Sequence, residues 1–170
     1  MNDLKNDLFW TRVRLPPPPP FNLLKIKMNE KLDKKLVDNF PLLYSDRHSP
    51  MQSTCMCWGF ECGDGWFDII WDLSSRLEPL IKKIMTEEPL LLPPKASQVK
   101  EKYGSLRFYM TRGSDEIFHL IERAEELSSK TCEECGDYGE ERGGGWIRTL
   151  CLKCYQNWEE ICRKRWETKE

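Results

Sequence analysis

Cys132-Glu-Glu-Cys135 and Cys151-Leu-Lys-Cys154 constrain this chain more than any other feature. The spacing is C-x2-C-x15-C-x2-C, within the range of a four-thiolate zinc site. A two-residue gap lets one tight turn present two sulfurs to one tetrahedral ion at ~2.3 Å. Gly136 follows the first pair, where a positive φ would relieve that turn. The second pair stands at the start of a helical pattern whose inner stripe is Tyr155, Trp158, Ile161 and Cys162, then Arg165 or Trp166. Amides at a helix start favour thiolate over thiol. The stretch Tyr138 to Leu150 reads as a hairpin turning near Gly143-Gly144-Gly145. One structural zinc ion on Cys132, Cys135, Cys151 and Cys154 is the expectation.

Knuckle, hairpin and ligands at a helix start resemble the treble-clef arrangement, over residues 131 to about 166. The competing reading is a pair of disulfides or a redox-active C-x-x-C. A thioredoxin-like site needs one such pair at a helix start after a strand, within a larger α/β unit. Two pairs at mutual zinc spacing argue against it. Residues 1–27 show no apolar core with a cleavage site, so a reducing cytoplasm is the expected location. Cys55, Cys57 and Cys62 run C-x-C-x4-C and, with Cys162, would make a second site. That spacing fits no usual pattern, and a buried thiol packs as a small hydrophobe.

Three segments are expected: a proline-rich arm over 1–27, an α+β body over 28–130, and the zinc module over 131–170. In the arm, Pro16 to Pro20 form a stiff polyproline spacer. The body opens with a short helix capped by Asn29, ended by Pro41. After the turn Gly63-Asp64-Gly65, with Asp64 as cap, a second helix carries Trp66, Ile70, Leu73, Leu77, Leu80, Ile81 and Ile84 on one stripe. Pro79 falls inside it and should kink or restart it. Gln98 to Met110 alternates about Gly104 as a β-hairpin, and a helix capped by Ser114 or Asp115 follows to about Ser129. The fold class is therefore α+β, helices packed on a short hairpin, with the zinc module at the C-terminal end. No apolar run approaches ~20 residues, so no membrane-spanning helix is expected.

Catalysis finds little support. Four thiolates close the zinc shell and leave no position for substrate. An HNH-type nuclease needs histidines in the module, but the two histidines are His48 and His119. A zinc deaminase needs H-x-E, and His48 is followed by Ser49-Pro50. Asp64, Asp68 and Asp72 would serve a carboxylate-dependent enzyme only if they converged in one pocket. The expected alternative is a solvated helix face.

The strings Trp58-Gly-Phe-Glu-Cys-Gly-Asp-Gly-Trp-Phe, Gln98-Val-Lys-Glu-Lys-Tyr-Gly-Ser-Leu-Arg-Phe-Tyr and Gly145-Trp-Ile-Arg-Thr-Leu-Cys resemble small uncharacterised proteins of bacteriophages and prophages. The resemblance spans residue 28 to about 158 and implies a bacterial host cytoplasm. It supplies no catalytic residues. The leading expectation is a non-enzymatic, zinc-stabilised binding protein with a host or phage protein as partner, since 26 Lys and Arg against 28 Asp and Glu leave a net charge of -2. Trp58, Phe108, Tyr109 and Trp146 are the candidate aromatic anchors. The alternative is a nucleic-acid binder with a basic face on the zinc module formed by Arg142, Arg148, Lys153, Arg163, Lys164 and Arg165. Glu140, Glu141, Glu159 and Glu160 interrupt that face.

Overall fold

A computed structural model describes residues 26–89, 92–143 and 146–167, with side chains through residue 164. The run Pro16 to Pro20, Gly144, Gly145 and the Arg165 side chain lie outside the described residues. The elements are α1 (Glu30–Asn39), β1 (Phe60–Glu61), α2 (Phe67–Glu87), β2 (Ala96–Lys102), β3 (Ser105–Met110), α3 (Asp115–Ser128), β4 (Glu140–Arg142), β5 (Arg148–Leu150) and α4 (Leu152–Glu167). The class is α+β, with a three-stranded sheet β1-β2-β3 and a separate β4-β5 hairpin.

Asn29 starts α1 as its sequence position requires. Its side-chain oxygen accepts the Lys31 and Leu32 amides, each at 3.1 Å. The Asn29 backbone N–H and side-chain amide both donate to the Asp64 carboxylate, at 2.8 and 2.6 Å. Asp64 is therefore not the cap of α2. It opens a short 3-10 turn, Asp64–Trp66, and its carboxylate ties the start of α1 to that turn instead. Asn29→Ala removes both sets of bonds. We expect a loss of about 1–2 kcal/mol, read as a lower denaturation midpoint.

Helix α2 runs through Pro79 as one continuous element rather than restarting. Proline removes one backbone hydrogen bond here. Leu77 and Ile81 on either side are fully buried, each worth roughly 1.5–3 kcal/mol, which outweighs that loss. Pro79 itself faces solvent. Its neighbour Glu78 turns the other way and accepts the Leu42 and Leu43 amides at 2.9 and 2.8 Å, satisfying the loop after α1.

The hairpin β2-β3 is as expected, and its turn residues Tyr103 and Gly104 both have positive φ, 55° and 76°. That pattern marks a type I′ turn, whose twist matches the strands. Strand β1 was not expected. It pairs parallel to β2, Phe60 with Val99 and Glu61 with Lys100. Helix α2 is the crossover that makes a parallel pairing possible. On the far side of the sheet, the exposed edge of β3 is covered by α3. The Leu106 amide donates to Ser128 Oγ at 2.8 Å and the Phe108 amide to Glu125 Oε1 at 3.0 Å. Two donors of that edge are thus satisfied, which disfavours edge-to-edge pairing there.

Val99, Leu106 and Phe108 point into a core shared with Phe60, Trp66, Ile70, Leu77 and Ile117. Phe108, a candidate surface anchor by sequence, is corrected here. It is 3% exposed and lies 6.4 Å from the Tyr44 ring, because its strand turns this side of the pleat inward. Tyr44 is itself buried, and burial holds its phenol far above the ordinary range, so it stays protonated. Its hydroxyl meets Ser74 Oγ at 2.6 Å, and Ser74 donates onward to the Ile70 carbonyl. Tyr44→Phe should cost about 1 kcal/mol in chemical denaturation, since the Ser74 donor stays satisfied.

Candidate metal centre

Cys132 and Cys135 sit on a tight knuckle closed by the Gly136 amide donating to the Cys132 carbonyl at 2.9 Å. Gly136 has φ +82°, the conformation the sequence required of it. The chain then bridges back from Tyr138 to Thr131 and enters the β4-β5 hairpin. Leu150 ends β5, Cys151 follows, and α4 begins at Leu152. Cys154 is in the first turn of that helix, where its amide donates to Cys151 Sγ at 3.4 Å.

The four sulfurs lie within 4.8 Å of one another, with Cys135 Sγ and Cys151 Sγ 3.7 Å apart. A tetrahedron of ~2.3 Å metal–sulfur bonds has edges of ~3.8 Å. The donor set therefore fits one thiophilic, tetrahedral ion. Among the described residues, no other three groups of histidine, cysteine or carboxylate gather closely enough to hold a metal. Without an ion Cys135 and Cys151 are pushed in opposite directions. The Cys154 amide holds Cys151 down at about 7, whereas desolvation, opposed by the Asp137 amide, pushes Cys135 up to about 11. A divalent cation removes that conflict by stabilising all four as thiolates.

The knuckle does not stand clear of the body. The Gly65 amide donates to the Glu133 carbonyl at 2.8 Å, the Gly63 amide to Glu133 Oε1 at 3.0 Å, and the Trp66 indole to the Thr131 carbonyl at 2.8 Å. From the hairpin, Arg148 closes on Glu133 Oε2 at 2.9 Å and on Glu134 Oε1 at 2.6 Å. Thr149 donates to the Gly104 carbonyl at the β2-β3 turn. Glu133 is fully buried, which pushes its carboxyl up, while Arg148 and the Gly63 amide pull it back. A buried carboxylate is tolerable only with such partners. Gly63 and Gly65 thus form a seat for the turn that carries Cys132 and Cys135. Segments around residues 63, 104 and 148, far apart in sequence, meet at this one junction.

Comparison with protein families, curated proteins and solved structures finds no match to the chain.

The remaining candidates separate clearly. Arg148, expected on a binding surface, is 3% exposed and serves the junction, so the basic face of the module loses a central member. Arg142 is drawn to Glu140 at 2.9 Å and to the Tyr155 ring. Arg163 is exposed, Trp146 is half-buried, and Trp58 and Tyr109 are 45% and 39% exposed. Cys55 is exposed, Cys57 donates to the Thr54 carbonyl, and Cys62 is buried in the core. Asp64 is engaged by Asn29 and Asp72 by Arg76, and with Asp68 they form no metal-holding group among the described residues. Sequence reasoning missed Glu133 and Thr149 as members of the junction. Their signal was position alone, one residue after Cys132 and two before Cys151.

Proposed function

We propose that this chain is a non-catalytic, zinc-stabilised binding protein, a treble-clef-like zinc module clamped onto an α+β body. The observation that carries the reading is the junction itself. The turn bearing two of the four sulfurs is seated backbone-to-backbone on Gly65 and sealed by the buried Arg148–Glu133 pair. An ion at that place braces two parts of the chain against each other, a mechanical role that a closed four-thiolate shell fits and an open catalytic shell does not. Zinc is favoured over iron because the role needs no electron transfer. The resemblance to phage and prophage proteins supports an origin there and action in the host cytoplasm.

The purified, reduced full chain should contain one zinc per molecule by elemental analysis. Chelation should speed amide exchange across residues 131–154 while α2 and α3 stay protected. Iron in place of zinc, or no bound metal at all, would overturn the reading.

A further inference from the structure

We propose that the outer face of the three-stranded sheet binds single-stranded nucleic acid, with Lys100, Lys102 and Arg107 taking phosphates and Tyr103 and Tyr109 stacking on bases. The proposal rests on the binding-protein reading above and names the class of its partner.

Strand alternation creates this face. The register pairs Gln98 with Tyr109, Lys100 with Arg107 and Lys102 with Ser105, so these side chains share one side of the pleat. Val99, Leu106 and Phe108 take the other side and fill the core. What remains outside is cationic and aromatic, with two carboxylates alongside: Glu61 of β1, which accepts from Gln98 at 3.2 Å, and Glu125 of α3, which pairs with Arg107 at 3.4 Å and would have to share that guanidinium with a phosphate.

Three details of this face are more than the fold requires. Lys100 stands directly opposite Arg107, and like charges in that relation weaken a ladder. Among the described residues, neither Lys100 nor Lys102 closes an ion pair. Each lies over a tyrosine ring instead, Lys100 at 5.8 Å from the Tyr109 centroid and Lys102 at 5.4 Å from that of Tyr103. Tyr103 also occupies the first of the two positive-φ positions of a type I′ turn, where asparagine or glycine is cheaper, and the residue is 70% exposed.

Charge complementarity selects the partner. The whole chain is net negative, so a polyanion is attracted only where cations are grouped. Tyrosines flanked by lysines on an open sheet suit unpaired bases, which can splay onto ring faces while the backbone meets the cations. The apolar side chains of this hairpin, Val99, Leu106 and Phe108, face the core, and the rings left outside, Tyr103 and Tyr109, each lie under a lysine ammonium, which favours an anionic partner over an apolar one.

The test uses the full zinc-loaded chain and a fluorescein-labelled oligothymidylate of about 12 nucleotides, followed by anisotropy. Binding should weaken steeply between about 50 and 200 mM salt. Lys100→Gln should lower the salt slope by about one unit. Tyr109→Ala should weaken binding roughly 5- to 100-fold. Lys82→Gln, on the exposed side of α2, should change nothing. Zinc content and thermal midpoint are measured on every variant, so a folding defect is visible. Equal affinity for a duplex of the same length, tighter binding to poly-glutamate, or unchanged affinity in folded Lys100→Gln and Tyr109→Ala would overturn the proposal. So would no binding by a zinc-replete, folded chain, a result that leaves the metal reading intact. Absence of zinc from the wild-type chain would sink that earlier reading on its own.

Discussion

Cys135→Ser will strip the chain of its metal and free residues 131–167 from the body. Serine keeps the shape of the side chain but replaces a thiolate with a hydroxyl that does not ionise near neutral pH, leaving three sulfurs to hold the ion. Structural zinc in small modules contributes ~10–16 kcal/mol of apparent binding free energy at neutral pH. A typical domain is stable by about 5–15 kcal/mol, so even a fraction of that loss is large. The knuckle, the short β4-β5 hairpin and the start of α4 bury few apolar side chains of their own; Cys132 and Leu150 are the ones fully enclosed. The body has a separate core around Trp66, Ile70 and Phe60 and should survive. Elemental analysis should show metal falling from one ion per chain toward none. Hydrogen exchange should show the Gly136, Gly139 and Cys154 amides losing protection while those of β2 and α2 keep it. Cys162→Ser, outside the four ligands, is the control and should retain the ion. Full metal content and an unshifted melting curve in Cys135→Ser would refute the assignment.

Gly65→Ala should undock the module without emptying it. A Cβ at Gly65 would run into the Cys132 carbonyl oxygen, and would lie 2.5 Å from the Gly136 nitrogen and 2.7 Å from the Cys135 nitrogen. All three are backbone atoms of the metal-binding turn, so no side chain can swing aside to make room. The turn must move off its seat. With it go the Gly65 and Gly63 hydrogen bonds to Glu133 and the Trp66 bond to Thr131. Undocking also exposes the Arg148–Glu133 pair to water. The expected cost is about 4–5 kcal/mol, at the upper end for one substitution. In a chain of this size that lowers the thermal midpoint by roughly 8–20 °C. Metal content should stay near one per chain, because all four ligands remain. That combination separates this variant from Cys135→Ser. A midpoint within about 2 °C of wild type would mean that the seat does not matter to stability.

Local signals in the chain were read with the greatest success where one residue acts on its own neighbours. Asn29 and Ser114 cap their helices because a short polar side chain next to a helical run has unpaired amides within reach. Gly104 marks the turn of β2-β3 and Gly136 the end of the knuckle, for similarly local reasons. The stripe on α2 identified Trp66, Ile70, Leu73, Leu77 and Ile81 as core. On α3 the helical period places Leu127 on the inner stripe with Ile117, Leu120, Ile121 and Ala124, but Leu127 is 57% exposed and Ser128 turns inward to cap the Leu106 amide. Strand β1 was invisible because two residues have no periodicity.

By itself, then, the order of residues determined the caps, the helical stripes, the hairpin and the grouping of four cysteines, since each depends on contacts within a few positions of the chain or on ligand spacing. Only the tertiary structure decided which side of the β2-β3 pleat faces the core, which made Phe108 internal and left Tyr109 outside. It also decided that Arg148 lies beneath the surface against Glu133, and that Asp64 serves Asn29. Alternation has two equivalent faces, and a charged side chain has the same identity whether or not a partner distant in sequence arrives. The choice in each case was made by packing between segments tens of residues apart, where burial and pairing of the few polar groups at the junction outweigh local preference.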